Sequence, residues 1–140
     1  MAQLTPEVRA FLLHSARTGK LATVRPDGRP HVVPIWFTLD GDTLLFTTWH
    51  TTVKATNIRS NPHVSLCADD ENPPFAYALL EGTATLVDDQ EQLKLWATRI
   101  AARYMGSGLA EAYGNRNAVP GELVVRMTLN KVIFKDKVAD

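Results

Sequence analysis

Short apolar runs separated by turn residues fill the first half of the chain, and this punctuation constrains the fold more than any other feature. Within GKLATVRPDGRPHVVPIWFTLDGDTLLFTT (residues 19–48), Pro26-Asp27-Gly28 and Asp40-Gly41-Asp42 separate three such runs. Clusters of this kind favour tight turns between antiparallel strands. The segment therefore predicts three consecutive strands. In the second of them a period of two places four apolar residues on one face: Val33, Ile35, Phe37 and Leu39.

The rest of the chain predicts three more strands and a few peripheral helices. The further strand-like runs are residues 63–69, residues 75–87 with a bulge at Gly82, and residues 122–136. Helices are expected near residues 5–14, with the Thr5 hydroxyl as the cap, and near residues 51–61 and 88–106, with a short one before the last strand. We therefore expect a mainly β or α+β fold, a six-stranded antiparallel barrel that forms a single domain over residues 1–140.

Composition narrows the classes of function. Fifteen basic and fifteen acidic residues cancel, so no global field favours nucleic acid or an anionic membrane, and any anion site must be local. The single cysteine, Cys67, excludes a disulfide framework. The four histidines show no pair at metal-ligand spacing, so no metal site is expected. Without a signal-peptide pattern or an apolar run of membrane-spanning length, the sequence predicts a cytoplasmic protein.

Hydroxyl groups and a lysine gather where the third strand gives way to a helix, in LLFTTWHTTVKATNIRSNP (residues 44–62). The start of a helix carries unpaired N–H groups and the positive end of the helix dipole. Together with the Lys54 ammonium group and nearby hydroxyls it forms a candidate oxyanion cup, with phosphate as the obvious guest. The hydroxyls belong to Thr47, Thr48, Thr51 and Thr52. Alternatively, Thr51 is simply a helix cap and Lys54 is a solvated surface lysine.

Pro34 lies inside the second predicted strand, where it cannot donate a ladder hydrogen bond. Two explanations stay open. Either the strand has a free edge or a bulge at this point, or something other than a strand lies against it.

Several segments, in their order and spacing, resemble the flavin/deazaflavin (F420)-dependent oxidoreductase superfamily, whose fold is the split β-barrel of pyridoxamine 5′-phosphate oxidase. These segments are GRPHVVPIWF, VKATNIRSNP, EGTATL and RNAVPGELVVRM. The likeness runs over nearly the whole chain and is closest to small actinobacterial reductases that use coenzyme F420. It implies a split β-barrel that forms a homodimer, with cofactor sites in the interface grooves.

The resemblance also implies where the cofactor binds. Lys54 corresponds to the family's phosphate-binding lysine, and the tricyclic ring lies against the backbone of the second strand at Val33, Pro34, Ile35 and Trp36. A ring in that position would explain Pro34. The other implied cofactor-binding residues are Thr47, Thr48, Thr52, Arg59 and Tyr77. Tyr77 and Pro73-Pro74 are candidates for a wall contributed by the partner subunit, and Arg59 belongs with Lys20, Arg25 and Arg29 to a basic neighbourhood that suits an anionic cofactor tail.

The cup favours F420 over FMN, because its one lysine matches a phosphodiester with one charge, whereas the FMN phosphomonoester carries nearly two. We therefore expect an F420-dependent reductase that transfers a hydride from reduced F420 to a small organic acceptor, such as an activated alkene, a quinone-like compound or a tetrapyrrole. An FMN-binding oxidase or reductase of the same superfamily, and a non-catalytic carrier of F420 or haem, remain alternatives. Tyr77, Tyr113, His50 or solvent could supply the proton, and no spacing singles out one of them, so the catalytic residues stay unassigned.

Overall fold

The computed structural model describes all 140 residues, which form seven strands and four helices. Their order along the chain is α1 (Pro6–Leu13), β1 (Gly19–Val24), β2 (Pro30–Ile35), β3 (Thr38–Asp40), β4 (Thr43–Trp49), α2 (Val53–Ser60), β5 (His63–Asp70), β6 (Ala76–Val87), α3 (Gln90–Met105), α4 (Ala110–Asn117) and β7 (Glu122–Lys135). The mainly β, α+β class expected from the sequence is confirmed. None of the four helices is both long and apolar enough to span a bilayer.

All seven strands belong to one antiparallel sheet with the order β2-β1-β5-β6-β7-β4-β3. Its two edges, β2 and β3, are separated along the chain by Trp36 and Phe37 alone. So short a link spans at most about 11 Å, and the sheet must therefore curl until its edges lie side by side. No ladder joins these two edges, so the sheet stays open along a seam beside Trp36.

The prediction of six strands is wrong, because the second predicted strand is two strands. β2 pairs with β1 through Ile35, whereas β3 pairs with β4 from Thr38 onwards. One straight strand cannot join neighbours at opposite edges of the sheet, so the chain breaks at Trp36. The apolar alternation hides this break, since Ile35 and Phe37 are both buried on its two sides.

The curled sheet encloses the larger of two apolar clusters, which includes Phe37, Phe46 and Met127. On the outer face, Leu45 of β4 and Val124 of β7 pack against Leu93 and Trp96 of α3 in a second, smaller cluster. β4 is therefore buried on both faces, which explains its continuous apolar run Leu44-Leu45-Phe46. The outer helix α3 also forms part of the wall of the candidate site described below.

Local signals read from the sequence are found where they were expected. The hydroxyl of Thr5 accepts a hydrogen bond from the backbone N–H of Val8 and caps α1. The register of β6 against β7 shifts between Glu81 and Gly82, at the predicted bulge. A side chain at Gly82 would overlap the carbonyl oxygen of Thr128, so this close approach requires glycine.

Candidate cofactor site

A cavity of about 370 Å³ lies on the outer face of the sheet, where the end of β2 approaches the start of α2. β2 supplies one wall, Thr47 of β4 and Lys54 of α2 supply the floor, and α3 and α4 cover it. Its volume lies at the low end of the range of about 300–1,000 Å³ that is typical of small-molecule sites. The lining residues are Pro34, Ile35, Trp36, Thr47, Lys54, Ala97, Ile100, Tyr113, Arg116 and Asn117.

Lys54 at the floor of this cavity is influenced by a carboxylate, Glu122, with which it forms no close ion pair. Burial lowers the pKa of the Lys54 ammonium group below its ordinary value, and the charge of Glu122 opposes that shift. Burial also raises the pKa of the Glu122 carboxyl group, which the Thr47 hydroxyl and the Lys54 charge oppose. The four close ion pairs of the chain all lie elsewhere. Lys54 is therefore a half-buried cation that a carboxylate balances only at a distance.

Two of the predicted hydroxyl donors are occupied within the chain. The Thr52 hydroxyl donates to the carbonyl oxygen of Trp49 at 3.0 Å and accepts the N–H of Ala55 at 3.3 Å, which makes Thr52 the cap of α2. The Thr48 hydroxyl lies 2.7 Å from that of Thr52. Since each hydroxyl has one proton, Thr48 must donate to Thr52. Neither group has a proton left for an anion. Thr47 lines the cavity, but its hydroxyl donates to the Glu122 carboxylate.

Trp36 is held in place at the mouth of the cavity although 39% of its surface is exposed. Its ring stacks on that of Tyr104 with 5.0 Å between centroids and an angle of 2°. The Tyr104 hydroxyl accepts the N–H of Phe37 at 3.1 Å and donates to the carbonyl oxygen of Arg17 at 2.8 Å. The guanidinium group of Arg103 donates to the carbonyl oxygen of Phe37 at 2.6 Å. The end of α3 thus fixes the two residues that link the sheet edges.

The helical wall depends on a close contact between α3 and α4. A side chain at Gly114 would overlap the Oγ1 atom of Thr98, so only glycine lets α4 lie this close to α3. That contact places Tyr113, Arg116 and Asn117 along the cavity. The three residues have the spacing i, i+3, i+4 of a single helix face, a signal present in the sequence, although the sequence does not say what that face covers.

Of the ten predicted cofactor-binding residues, five line the cavity: Pro34, Ile35, Trp36, Thr47 and Lys54. Pro34 lies on the edge strand β2 and is exposed, so the free-edge explanation holds for its missing donor. Val33 packs against the inner core. Arg59 donates to the carbonyl oxygen of His50 at 2.7 Å, and Tyr77 lines a separate cavity together with Phe75 and Val138.

The predicted basic neighbourhood for a cofactor tail is divided. Lys20 forms an ion pair with Asp69 at 3.0 Å, in a different cavity. Arg25 and Arg29 line a cavity of about 420 Å³ beside Thr51 and Thr56 of the α2 region, where Asp27 pairs with Arg29 at 2.8 Å. No group of three or more histidine, cysteine or acidic side chains is arranged to hold a metal ion.

Comparison with known proteins adds the family context. The profile of the family described as pyridoxamine 5′-phosphate oxidase matches residues 4–136. Among solved structures, the fold is similar to the conserved hypothetical protein Rv2991 from Mycobacterium tuberculosis, with a TM-score of 0.83 and 25% identity over 98% of this chain and 87% of that one. No curated protein matches the chain in sequence.

Two other solved structures carry functional names. A protein named F420 reductase is similar with a TM-score of 0.71 and 29% identity over 92% of this chain and 98% of that one. The haem storage protein HutZ from Vibrio cholerae has a TM-score of 0.72 and 20% identity over 94% of each chain. At that identity the second likeness concerns the fold alone.

Proposed function

This chain belongs to the pyridoxamine 5′-phosphate oxidase family, and from that premise we propose that it is a reductase that binds coenzyme F420 beside Lys54 and reduces an organic acceptor. The relative named F420 reductase, 29% identical over 92% of this chain, supports the choice of cofactor. The observation that carries the proposal is the cavity on the outer face, where the end of β2 and the half-buried cation meet.

The residues of the cavity fit a flat ring with an anionic side arm. Pro34 and Trp36 offer an apolar surface on a strand edge that has no ladder partner on one side. The Lys54 ammonium group stands beside that surface and suits a phosphate. Because Glu122 balances part of the Lys54 charge, the floor suits a phosphodiester with one charge better than a phosphomonoester with nearly two.

Reduced F420 supplies a hydride when bound, and the chain's own residues have three tasks around it. Lys54 anchors the phosphate and so fixes the ring's position. Ala97 and Ile100 of α3 exclude water from the cavity. The Oη hydroxyl of Tyr113, which lines the helical wall, donates the proton that a reduced acceptor needs. Tyr77 and His50, the other donors considered, do not line this cavity.

We also propose that two copies of the chain form a homodimer, as the resemblance implies. Tyr77 and Pro73-Pro74 would then lie against the partner's cofactor instead of the cavity in their own chain. The exposed ring of Phe75 beside them offers apolar surface for such a contact.

FMN is the second candidate cofactor, and one observation favours it. Arg116 brings a second cation into the cavity, whereas the sequence had indicated a single lysine. Two cations around one phosphate would suit the dianionic FMN phosphomonoester. The two candidates therefore differ in whether Arg116 contacts the cofactor phosphate.

Parallel titrations of the cofactor-free protein with F420 and FMN test the proposal. Micromolar or tighter F420 binding with much weaker FMN binding supports it, and the reverse order moves the function to flavin chemistry. A panel of acceptors mixed with reduced F420 and the protein then separates a reductase from a carrier. Tight F420 binding without turnover of any acceptor would contradict the enzymatic part, and binding of neither cofactor would contradict the whole proposal.

A further inference from the structure

Arg116 is a cation that the chain itself leaves unpaired. It lines the cavity on α4, and its guanidinium group lies 5.6 Å from the centroid of the Tyr113 ring. The four ion pairs of the chain involve other arginines and lysines. By contrast, Arg103 donates to four backbone carbonyl oxygens and has a structural task. The guanidinium group of Arg116 therefore keeps its donors free towards the cavity.

The wall that carries Arg116 is rigidly placed. Gly114 packs against Thr98 without room for a side chain, so the register of α4 on α3 is fixed. Tyr113 and Asn117 lie on the same helix face as Arg116 and also line the cavity. The guanidinium group of Arg116 lies near the Tyr113 ring, and this contact limits the rotamers of the arginine. Less side-chain entropy is therefore lost when Arg116 binds an anion. The Arg116 side chain is itself exposed, so what sets it apart from other surface arginines is its place on the wall of the cavity beside Tyr113 and Asn117.

The two cations of the cavity come from different walls and have different surroundings. Lys54 belongs to α2 and lies at the floor, where the charge of Glu122 partly balances that of Lys54. Arg116 descends from α4, where no carboxylate of the chain pairs with it. If Lys54 anchors the cofactor phosphate, the second cation is left for a second anionic group. A guanidinium fork suits a carboxylate, because two parallel N–H groups match two oxygens.

We propose that Arg116 binds a carboxylate of the acceptor, so that the substrates of this protein are conjugated carboxylic acids, in preference to neutral alkenes or quinones. The inference rests on the proposed function, since it assigns Lys54 to the cofactor. Tyr113, which lines the same cavity, stands beside the bound carboxylate. Asn117 adds an amide donor one helical turn from Tyr113.

The experiment compares a conjugated acid with its neutral ester. Cinnamate and methyl cinnamate are titrated by calorimetry into the unaltered protein and into the Arg116→Gln, Arg116→Lys and Arg99→Gln variants, each with and without saturating oxidised F420. Arg99 is the matched control, because it is an exposed arginine of α3 that lies over the Trp96 ring and does not line the cavity. F420 affinity is measured for every variant.

We expect Arg116→Gln to weaken cinnamate binding by roughly tenfold or more, while methyl cinnamate and F420 affinities stay unchanged. Arg116→Lys should restore part of the loss, and Arg99→Gln should change nothing. A loss of F420 affinity in Arg116→Gln without a loss of cinnamate affinity would overturn the inference, since Arg116 would then belong to the cofactor. Equal affinities of the unaltered protein for acid and ester, or no acid binding at millimolar concentration, would also overturn it.

Failure of the proposed function gives a different pattern. If F420 does not bind at all, but the cofactor-free protein prefers the acid and Arg116→Gln abolishes that preference, the carboxylate site stands and the cofactor assignment falls.

Discussion

Lys54, at the floor of the cavity, and Glu122 influence each other's pKa. Anion binding should therefore change both when the pH rises and when it falls. Burial lowers the pKa of Lys54 and raises that of Glu122, while the charge of each opposes the shift of the other. Rising pH removes the positive charge at the lowered pKa of Lys54. Falling pH removes the negative charge at the raised pKa of Glu122. An anion at the floor should therefore bind best on the acidic side of neutrality.

Replacing Lys54 tests the floor directly. Lys54→Ala should weaken F420 binding by about 1.5–3 kcal/mol, because it removes a charge-assisted hydrogen bond to the phosphate. Titration by fluorescence or calorimetry measures the change. Lys94→Ala is the matched control, since Lys94 is an exposed lysine of α3 outside the cavity. Equal affinities of the Lys54→Ala variant and the unaltered protein would refute the anion cup.

Glu122→Gln should have the opposite effect. At neutral pH the substitution removes the carboxylate that opposes an anion, and F420 binding should tighten by up to about 1 kcal/mol, since solvent screens a half-buried charge. The gain in affinity on acidification should disappear. At high pH the affinity should be lost earlier than in the unaltered protein, because Glu122 no longer raises the pKa of Lys54. F420 affinity measured across a range of pH checks these three expectations. If the pH profile of Glu122→Gln matched that of the unaltered protein, Glu122 would not influence anion binding through Lys54.

At the scale of elements, the contact between α3 and α4 makes Gly114 a sensitive position. Gly114→Ala gains about 0.5–1 kcal/mol of helix stability but forces a methyl group into Thr98, and overpacking costs about 1–3 kcal/mol. The net result should be destabilisation, measured as a lower urea midpoint. Gly108→Ala is the control, because no heavy atom would lie within 4 Å of its methyl group. Destabilisation of both variants by the same amount would show that the packing against Thr98 is not the cause.

Tyr104 joins α3 to the link between β2 and β3. Tyr104→Phe keeps the ring stacked on Trp36 but leaves the N–H of Phe37 without its partner, which should cost about 1–3 kcal/mol of unfolding free energy. Tyr113→Phe is the control, since the hydrogen bonds made by tyrosine hydroxyls within the chain all belong to Tyr104. Urea unfolding measures both, and a neutral Tyr104→Phe would mean that another group satisfies the N–H of Phe37.

The elements show what sequence patterns can and cannot predict. Turn clusters, the Thr5 cap and the bulge at Gly82 are encoded by neighbouring residues, so they were correctly predicted, whereas the cap of α2 is Thr52 and not Thr51. The break at Trp36 was missed, because alternation continues through Ile35 and Phe37 while the hydrogen-bond partner changes from β1 to β4. Partner choice depends on residues far away in the chain, which a local period does not record.

The candidate site divides in the same way. Lys54 and Pro34 stand out locally, one at a helix start and the other inside a strand. Arg116 and Glu122 do not, since they reach the site through the packing of α4 on α3 and the pairing of β4 with β7. Whether the predicted hydroxyls are available was equally hidden, because Thr48 donates to Thr52 and Thr52 donates to the carbonyl oxygen of Trp49. The assignment of all these residues to a cofactor stays a prediction.

At the scale of the whole molecule, the exposed edge strand β2 is the natural place for a second copy. Val32 of β2 and Trp36, which directly follows this strand, are 64% and 39% exposed. An unpaired edge with apolar side chains favours association. We expect light scattering to give the mass of two chains and Val32→Glu to shift that mass towards one. Val138→Glu, at an exposed valine outside β2, is the control. A monomeric unaltered protein, or equal effects of both variants, would contradict a dimer through β2.

The seam beside Trp36 has a consequence for the order in which the chain folds. Its two edges are neighbours in sequence, and the hairpins β1–β2 and β3–β4 need only local loops to form, so they can appear early. The step that shapes the barrel is the pairing of β4 with β7, in which Thr43 must find Thr128 and Trp49 must find Glu122. Closing so long a loop is slow. We therefore expect β4 to wait with one side unpaired until β7 arrives, which makes it the strand most exposed to misassembly and binding by chaperones.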